Sequence, residues 1–144
     1  MVKVLTVDDS VFMRTVIRDM LVKDPSIEVV GTASNGIEAL EKIHALKPDV
    51  VTLDIEMPKM NGLEVLRELQ KEKARPKVIM LSSLTSKDAG ATVEAIRLGA
   101  DDFMLKPKDL PHVRDIADEL VAKVKHLMTL DAALRITQKS EVPG

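Results

Sequence analysis

Cysteine, tyrosine and tryptophan are missing from this chain, and phenylalanine occurs only twice in 144 residues. Without cysteine there is neither a disulfide framework nor a thiolate-ligated zinc or iron–sulfur site. With almost no aromatic platform, and 21 basic side chains against 23 acidic ones, nucleic-acid binding by this chain alone is disfavoured. No apolar run approaches the roughly 18 residues of a membrane span, and Met1-Val2-Lys3-Val4-Leu5 turns polar too soon for a signal peptide. The expectation is a cytoplasmic protein that engages neither membrane nor nucleic acid.

What the chain does contain is 45% apolar and 31% charged residues, enough for one soluble domain with its own core. A domain of this length buries about 68–70% of its unfolded surface. Five short apolar runs, Lys3 to Val7, Glu28 to Ala33, Asp49 to Leu53, Lys77 to Leu81 and Asp102 to Leu105, read as strands. Between them apolar residues recur every three or four positions, as in Val11, Met13, Val16, Ile17, Met20 and Leu21, or Val93, Ile96 and Leu98. The strands are near-continuously apolar, which means both sheet faces are covered by helices. Five strand–helix units are too few for an eight-unit barrel. The fold class is therefore α/β, an open doubly wound parallel sheet.

Boundary residues agree. Ser10 and Asp88 are candidate N-caps, Gly31 and Gly36 flank a turn, Gly99 closes the fourth helix, and Pro25, Pro48 and Pro76 lead into strands. The last helix opens near Asp109 to Pro111, and its pattern decays beyond Met128. Residues 1–128 read as the domain and 129–144 as a helical extension and linker or tail.

In such sheets ligands bind at the carboxyl ends of the strands. Strand one ends in Asp8-Asp9-Ser10, strand three in Asp54, strand four in Ser82-Ser83 and strand five in Lys106-Pro107. Three carboxylates gathered on one rim repel each other and raise one another's pKa, which a hard divalent cation relieves. Adding Lys106 and a hydroxyl makes the site suit a phosphoryl group. Asp54 is the nucleophile candidate, Asp8 and Asp9 the Mg2+ ligands, and the Glu56 backbone carbonyl a further one. Taken singly, Asp8, Asp9 and Ser10 could equally be helix caps and Ser82 and Ser83 turn residues; capping, however, requires neither Lys106 nor Asp54. Gly31 to Gly36 has P-loop spacing, but Ile37-Glu38 replaces the Lys-Ser/Thr pair. His44, His112 and His126 fall on helices away from the rim, and the eight methionines read as core fillers.

Val7-Asp8-Asp9-Ser10, Pro48-Asp49-Val50 through Leu53-Asp54, Met57-Pro58 with Asn61-Gly62, Ser82-Ser83, Gly99-Ala100 and Lys106-Pro107 resemble the receiver domain of two-component response regulators. The resemblance spans roughly residues 2–128 and implies a flavodoxin-like (βα)5 fold with strand order 2-1-3-4-5. It also implies Asp54 as the acceptor of a phosphoryl group from a histidine kinase and Asp8 and Asp9 as the Mg2+-binding pair. Ser82 corresponds to the switch hydroxyl, Phe103 to the aromatic of the rotamer switch, and Lys106 to the lysine beside the phosphoryl group. The family's lysine–proline bond is typically cis. The resemblance implies output through the face made by helix four, strand five and helix five.

Val11-Phe12-Met13-Arg14, Asp54-Ile55-Glu56-Met57-Pro58, Met80 to Thr85 and Gly99 to Phe103 are similar, more closely, to the N-terminal regulatory domain of chemotaxis protein-glutamate methylesterases. A phosphorylation-controlled fragment of such an enzyme is the expected reading, since the chain stops in the linker-like Val142-Pro143-Gly144. A stand-alone regulator acting by protein binding is the alternative. An aspartyl-nucleophile Mg2+ phosphatase, with Glu56 as proton donor, is the rival from another class. A flavodoxin-like mononucleotide binder lacks aromatics to stack on a flavin.

Overall fold

Alternating β-branched runs and amphipathic segments give five β/α units. The elements are β1 (Val2–Val7), α1 (Val11–Val22), β2 (Ile27–Ala33), α2 (Gly36–Leu46), β3 (Val50–Asp54), α3 (Gly62–Gln70), β4 (Lys77–Ser82), α4 (Ser86–Arg97), β5 (Asp102–Leu105) and α5 (Val113–Glu141). The computed structural model describes residues 1–82, 86–106 and 113–141, with the backbone alone for 86–89, 114, 115 and 131–141. The expectations for Ser83, the Lys106-Pro107 bond, the helix opening at Asp109 to Pro111, His112 and Val142 to Gly144 lie outside the described residues.

All strand pairs are parallel, and the order is β2-β1-β3-β4-β5, as the resemblance implies. Alternate side chains of one strand serve opposite layers. Leu5, Val7, Val51, Leu53, Val78 and Met80 pack with α2, α3 and α4 residues such as Ile43, Leu66 and Ala95. Val4, Val50, Ile79, Leu81 and Met104 face α1 and α5 through Ile17, Met20, Leu21, Leu120 and Val124. The interior is aliphatic. Both phenylalanines are on the surface, Phe12 at 60% and Phe103 at 42% exposure. Met20, Met80 and Met104 are core residues, while Met13, Met57, Met60 and Met128 only line its edges.

Several local expectations need correction. Asp88 lies three residues into α4 rather than at its cap; an acid in the first turn is equally favoured by the helix dipole. Gly31 sits inside β2, where the register with β1 shifts after Val4, and Gly36 opens α2. Val93 and Ile96 are exposed on α4; the face turned to the core carries Ala91 and Ala95, and Leu98 packs there just past the helix. The two alanines let the helix sit close to β4. Gly99 does close α4: its φ of +102° is costly for any side chain, and Arg75 occupies the space a Cβ would need. Leu127 is the last buried residue of α5 among those whose side chains are described, and the helix continues to Glu141.

Candidate functional site

The chain winds first to one side of β1 (β2) and then to the other (β3), so a crevice opens between the carboxyl ends of β1 and β3. Asp8 follows β1 and Asp54 ends β3, and they are 1% and 4% exposed. Asp9 is exposed beside them, and one oxygen from each of the three carboxylates lies within 4.8 Å of the others. Ser82 ends β4, buried, and its carbonyl accepts the Lys106 N–H at 2.8 Å. That bond turns the chain after β5 so that Lys106 reaches inward. Its ammonium lies 2.9 Å from Asp54 Oδ1 and 3.0 Å from Asp8 Oδ2.

The cap and ligand readings of Asp8-Asp9-Ser10 turn out to be divided among the residues. Ser10 is the N-cap of α1, its Oγ accepting the Met13 N–H at 3.2 Å. Asp8 Oδ1 accepts the Ser10 N–H at 2.9 Å. Asp8 Oδ2 is buried, and its one partner among the described residues is the Lys106 ammonium at 3.0 Å. A buried carboxylate oxygen beside two further carboxylates, all hard oxygen donors, fits a divalent cation such as Mg2+.

Burial pushes the Asp54 carboxyl up to about 6, with Lys106 opposing the shift and the charges of Asp8 and Asp9 adding to it. Burial draws the Lys106 ammonium down, but its bonds to Asp54 and Asp8 outweigh that and hold it above the ordinary lysine value. The Asp54 carboxylate thus carries its charge at a cost that Lys106 only partly offsets.

A cleft of about 390 Å³ over these groups is lined by Asp9, Asp54, Ile55, Glu56, Met57, Ser82 and Lys106. Six sequence-predicted residues, Asp8, Asp9, Asp54, Glu56, Ser82 and Lys106, therefore meet at one rim. The Glu56 side chain is exposed and stands apart from the clustered carboxylates. Phe103 projects from the neighbouring β5 onto the surface, away from buried Met104. His44 pairs with Glu72 on an exposed helix face at 2.8 Å and His126 is exposed on α5, both away from the rim.

Sequence reasoning missed two supports. Gly62 sits against the Asp54 carbonyl, where a Cβ would lie 2.3 Å from the oxygen, and its N–H bonds Ile55 O at 2.8 Å. Asn61 and Glu64 form a capping box at the start of α3, so the Asn61-Gly62 pair starts a helix. Arg14 reaches back from α1 to the Asp8 carbonyl. The first had a signal in Asn-x-x-Glu; Arg14 stood only within a stretch that carries the family resemblance, with no role read from it.

The profile described as the response regulator receiver domain matches residues 4–125. The chain belongs to the response regulator receiver family. This receiver is 53% identical over 130 residues to a protein-glutamate methylesterase/protein-glutamine glutaminase of Methanospirillum hungatei, covering 90% of this chain and 38% of that protein. The Thermotoga maritima enzyme of the same name is 48% identical over 132 residues, with 90% and 38% covered. The receiver thus spans about two fifths of the length of the curated relatives it matches. Among solved structures, the response regulator domain of Thermotoga maritima CheB superposes with a TM-score of 0.80 at 48% identity, covering 89% of this chain and 96% of that one. CheY6 of R. sphaeroides, solved in complex with the P1 domain of CheA3, gives 0.72 at 38% identity, with 89% and 97% covered.

Proposed function

We propose that this receiver accepts a phosphoryl group on Asp54 from the phosphohistidine of a chemotaxis-type kinase, and that the event controls a methylesterase of the kind its relatives are. The carrying observation is the Asp54–Lys106–Asp8 contact at the β1/β3 crevice. A carboxylate oxygen of Asp54 attacks phosphorus, the bond to the donor nitrogen breaks, and an acyl phosphate forms. The charge on the transferred oxygens falls where Lys106 already sits. Asp8, Asp9 and Asp54, with the Glu56 carbonyl, would hold a Mg2+ ion there, which would supply the remaining positive charge.

Ser82, buried on the cleft wall, is placed to donate its hydroxyl to a phosphoryl oxygen. That inward pull makes room for Phe103 to leave the surface, so that the face bearing Val93, Ile96, Phe103 and Leu105, all more than 40% exposed, changes shape. That face is where an output domain or partner protein engages. Val11 and Phe12, 69% and 60% exposed at the start of α1, form an apolar platform beside the acidic cluster for the phosphodonor.

Incubation with Mg2+ and a small acyl phosphate adds one phosphoryl group by intact mass, and Asp54→Asn abolishes it. Equal labelling of Asp54→Asn sinks the assignment. Sustained turnover of a phosphomonoester would favour the phosphatase reading instead.

A further inference from the structure

We propose that Arg14 is a positioning residue for the acidic pair, setting the β1–α1 connection so that Asp9 faces the cation site. This rests on the Mg2+-dependent reading of the cluster given above.

Arg14 is the fourth residue of α1, which starts at Val11. Helical side chains slant toward the N-terminus, so a long side chain at this place reaches the connection preceding the helix. Its Nη1 donates to the Asp8 backbone carbonyl at 2.6 Å. The other polar groups of Asp8 are also committed. Its N–H donates to Ala33 O at 3.0 Å on β2, and Oδ1 accepts the Ser10 N–H at 2.9 Å. The Arg14 bond therefore completes a three-sided clamp that leaves Oδ2 alone turned to Lys106 and the cluster.

The bonded carbonyl belongs to the peptide plane that joins Asp8 to Asp9. With that plane held, and the next one tied through the Ser10 N–H to Asp8 Oδ1, the direction in which the Asp9 side chain leaves the backbone is restricted from both sides. Asp9 is the exposed member of the cluster and has the least packing of its own to orient it. A guanidinium is suited to the task because its donors lie in a rigid plane and it stays charged at every working pH. It bonds a carbonyl and forms no ion pair with Asp8, Asp9 or Asp54, so the carboxylate oxygens keep their capacity for a cation.

The placement also breaks a local rule. The first turn of α1 carries no acidic residue and ends in a cation, the reverse of what the helix dipole favours. Ser10 already caps this helix end, so Arg14 adds nothing to helix termination. A local rule broken with no local gain is characteristic of functional sites.

Two variants separate positioning from packing. Arg14→Met keeps the aliphatic stem and removes every donor, and Arg14→Lys keeps a charged donor on a stem of similar reach. Mg2+ titrations followed by the backbone amide shifts of Asp9 and Ser10 should show Arg14→Met binding about tenfold more weakly, as loss of a support behind metal ligands usually does. In metal-free protein the same variant should exchange the Ser10 amide faster, because the turn it closes has lost one anchor. Arg14→Lys should recover much of both. Equal Mg2+ affinity and unchanged Ser10 exchange in Arg14→Met overturn the inference. If wild type itself takes up no Mg2+, the functional reading fails, and the metal-free exchange rates alone then decide the role of Arg14.

Discussion

The raised pKa of Asp54 makes a stability prediction with a definite sign. A carboxyl whose folded pKa exceeds its unfolded value stabilises the fold below the unfolded pKa, and that contribution disappears as pH rises through the folded pKa. For Asp54 the window runs from 3.8 to about 6. At about 1.4 kcal/mol per pKa unit, ionising Asp54 costs the metal-free domain about 3 kcal/mol at pH 8. Asparagine has nearly the shape of the protonated acid and cannot ionise, and in Asp54→Asn the Lys106 ammonium retains Asp8 at 3.0 Å. Asp54→Asn should therefore be more stable than wild type by about 3 kcal/mol in urea at pH 8 with chelator, or roughly 10 °C in Tm. The gap should close to less than about 1 kcal/mol near pH 4, where folded Asp54 is protonated in wild type as well. Saturating Mg2+ should narrow it from the other side, since a ligand at ten times its Kd adds about 1.4 kcal/mol to the form that binds it. A variant less stable than wild type at pH 8, or a gap of equal size at pH 4 and 8, would refute the account of the site as a strained anionic cluster.

Two other substitutions test the surrounding structure. Thr6 and Thr52 are register partners in the centre of the sheet, and each has a buried hydroxyl without a partner among the described residues. Thr52→Val, nearly isosteric and free of that desolvation cost, should raise stability by about 1 kcal/mol in chemical unfolding; a loss of more than that would mean the hydroxyl is satisfied. Gly62→Ala should cost roughly 3 kcal/mol and impair phosphorylation together with folding, because the new methyl meets the Asp54 carbonyl, part of a fixed strand, rather than a yielding side chain. A well-folded Gly62→Ala that labels normally would show that the loop can move away.

The sequence by itself determined the α/β class, because five apolar runs without polar alternation demand cover on both faces. It also determined the rim, because a strand end is where an apolar run stops, so Asp8, Asp54, Ser82 and Lys106 could be placed without knowing which strands adjoin. The strand order and the roles came from resemblance, since periodicity is silent on which strand lies beside which. Helix faces were less legible. Val93 and Ile96 have helical spacing yet are exposed, because the side turned to the core carries Ala91 and Ala95, followed by Leu98 just past the helix. Only the tertiary structure decided how the pair at the end of β1 divides its work, with Asp8 buried and clamped and Asp9 open to the cleft. It alone brought Lys106 to within 3.0 Å of two carboxylates from other strands. Charge strength in a site depends on burial and on distances across the sheet, and both arise only when segments remote in sequence pack together.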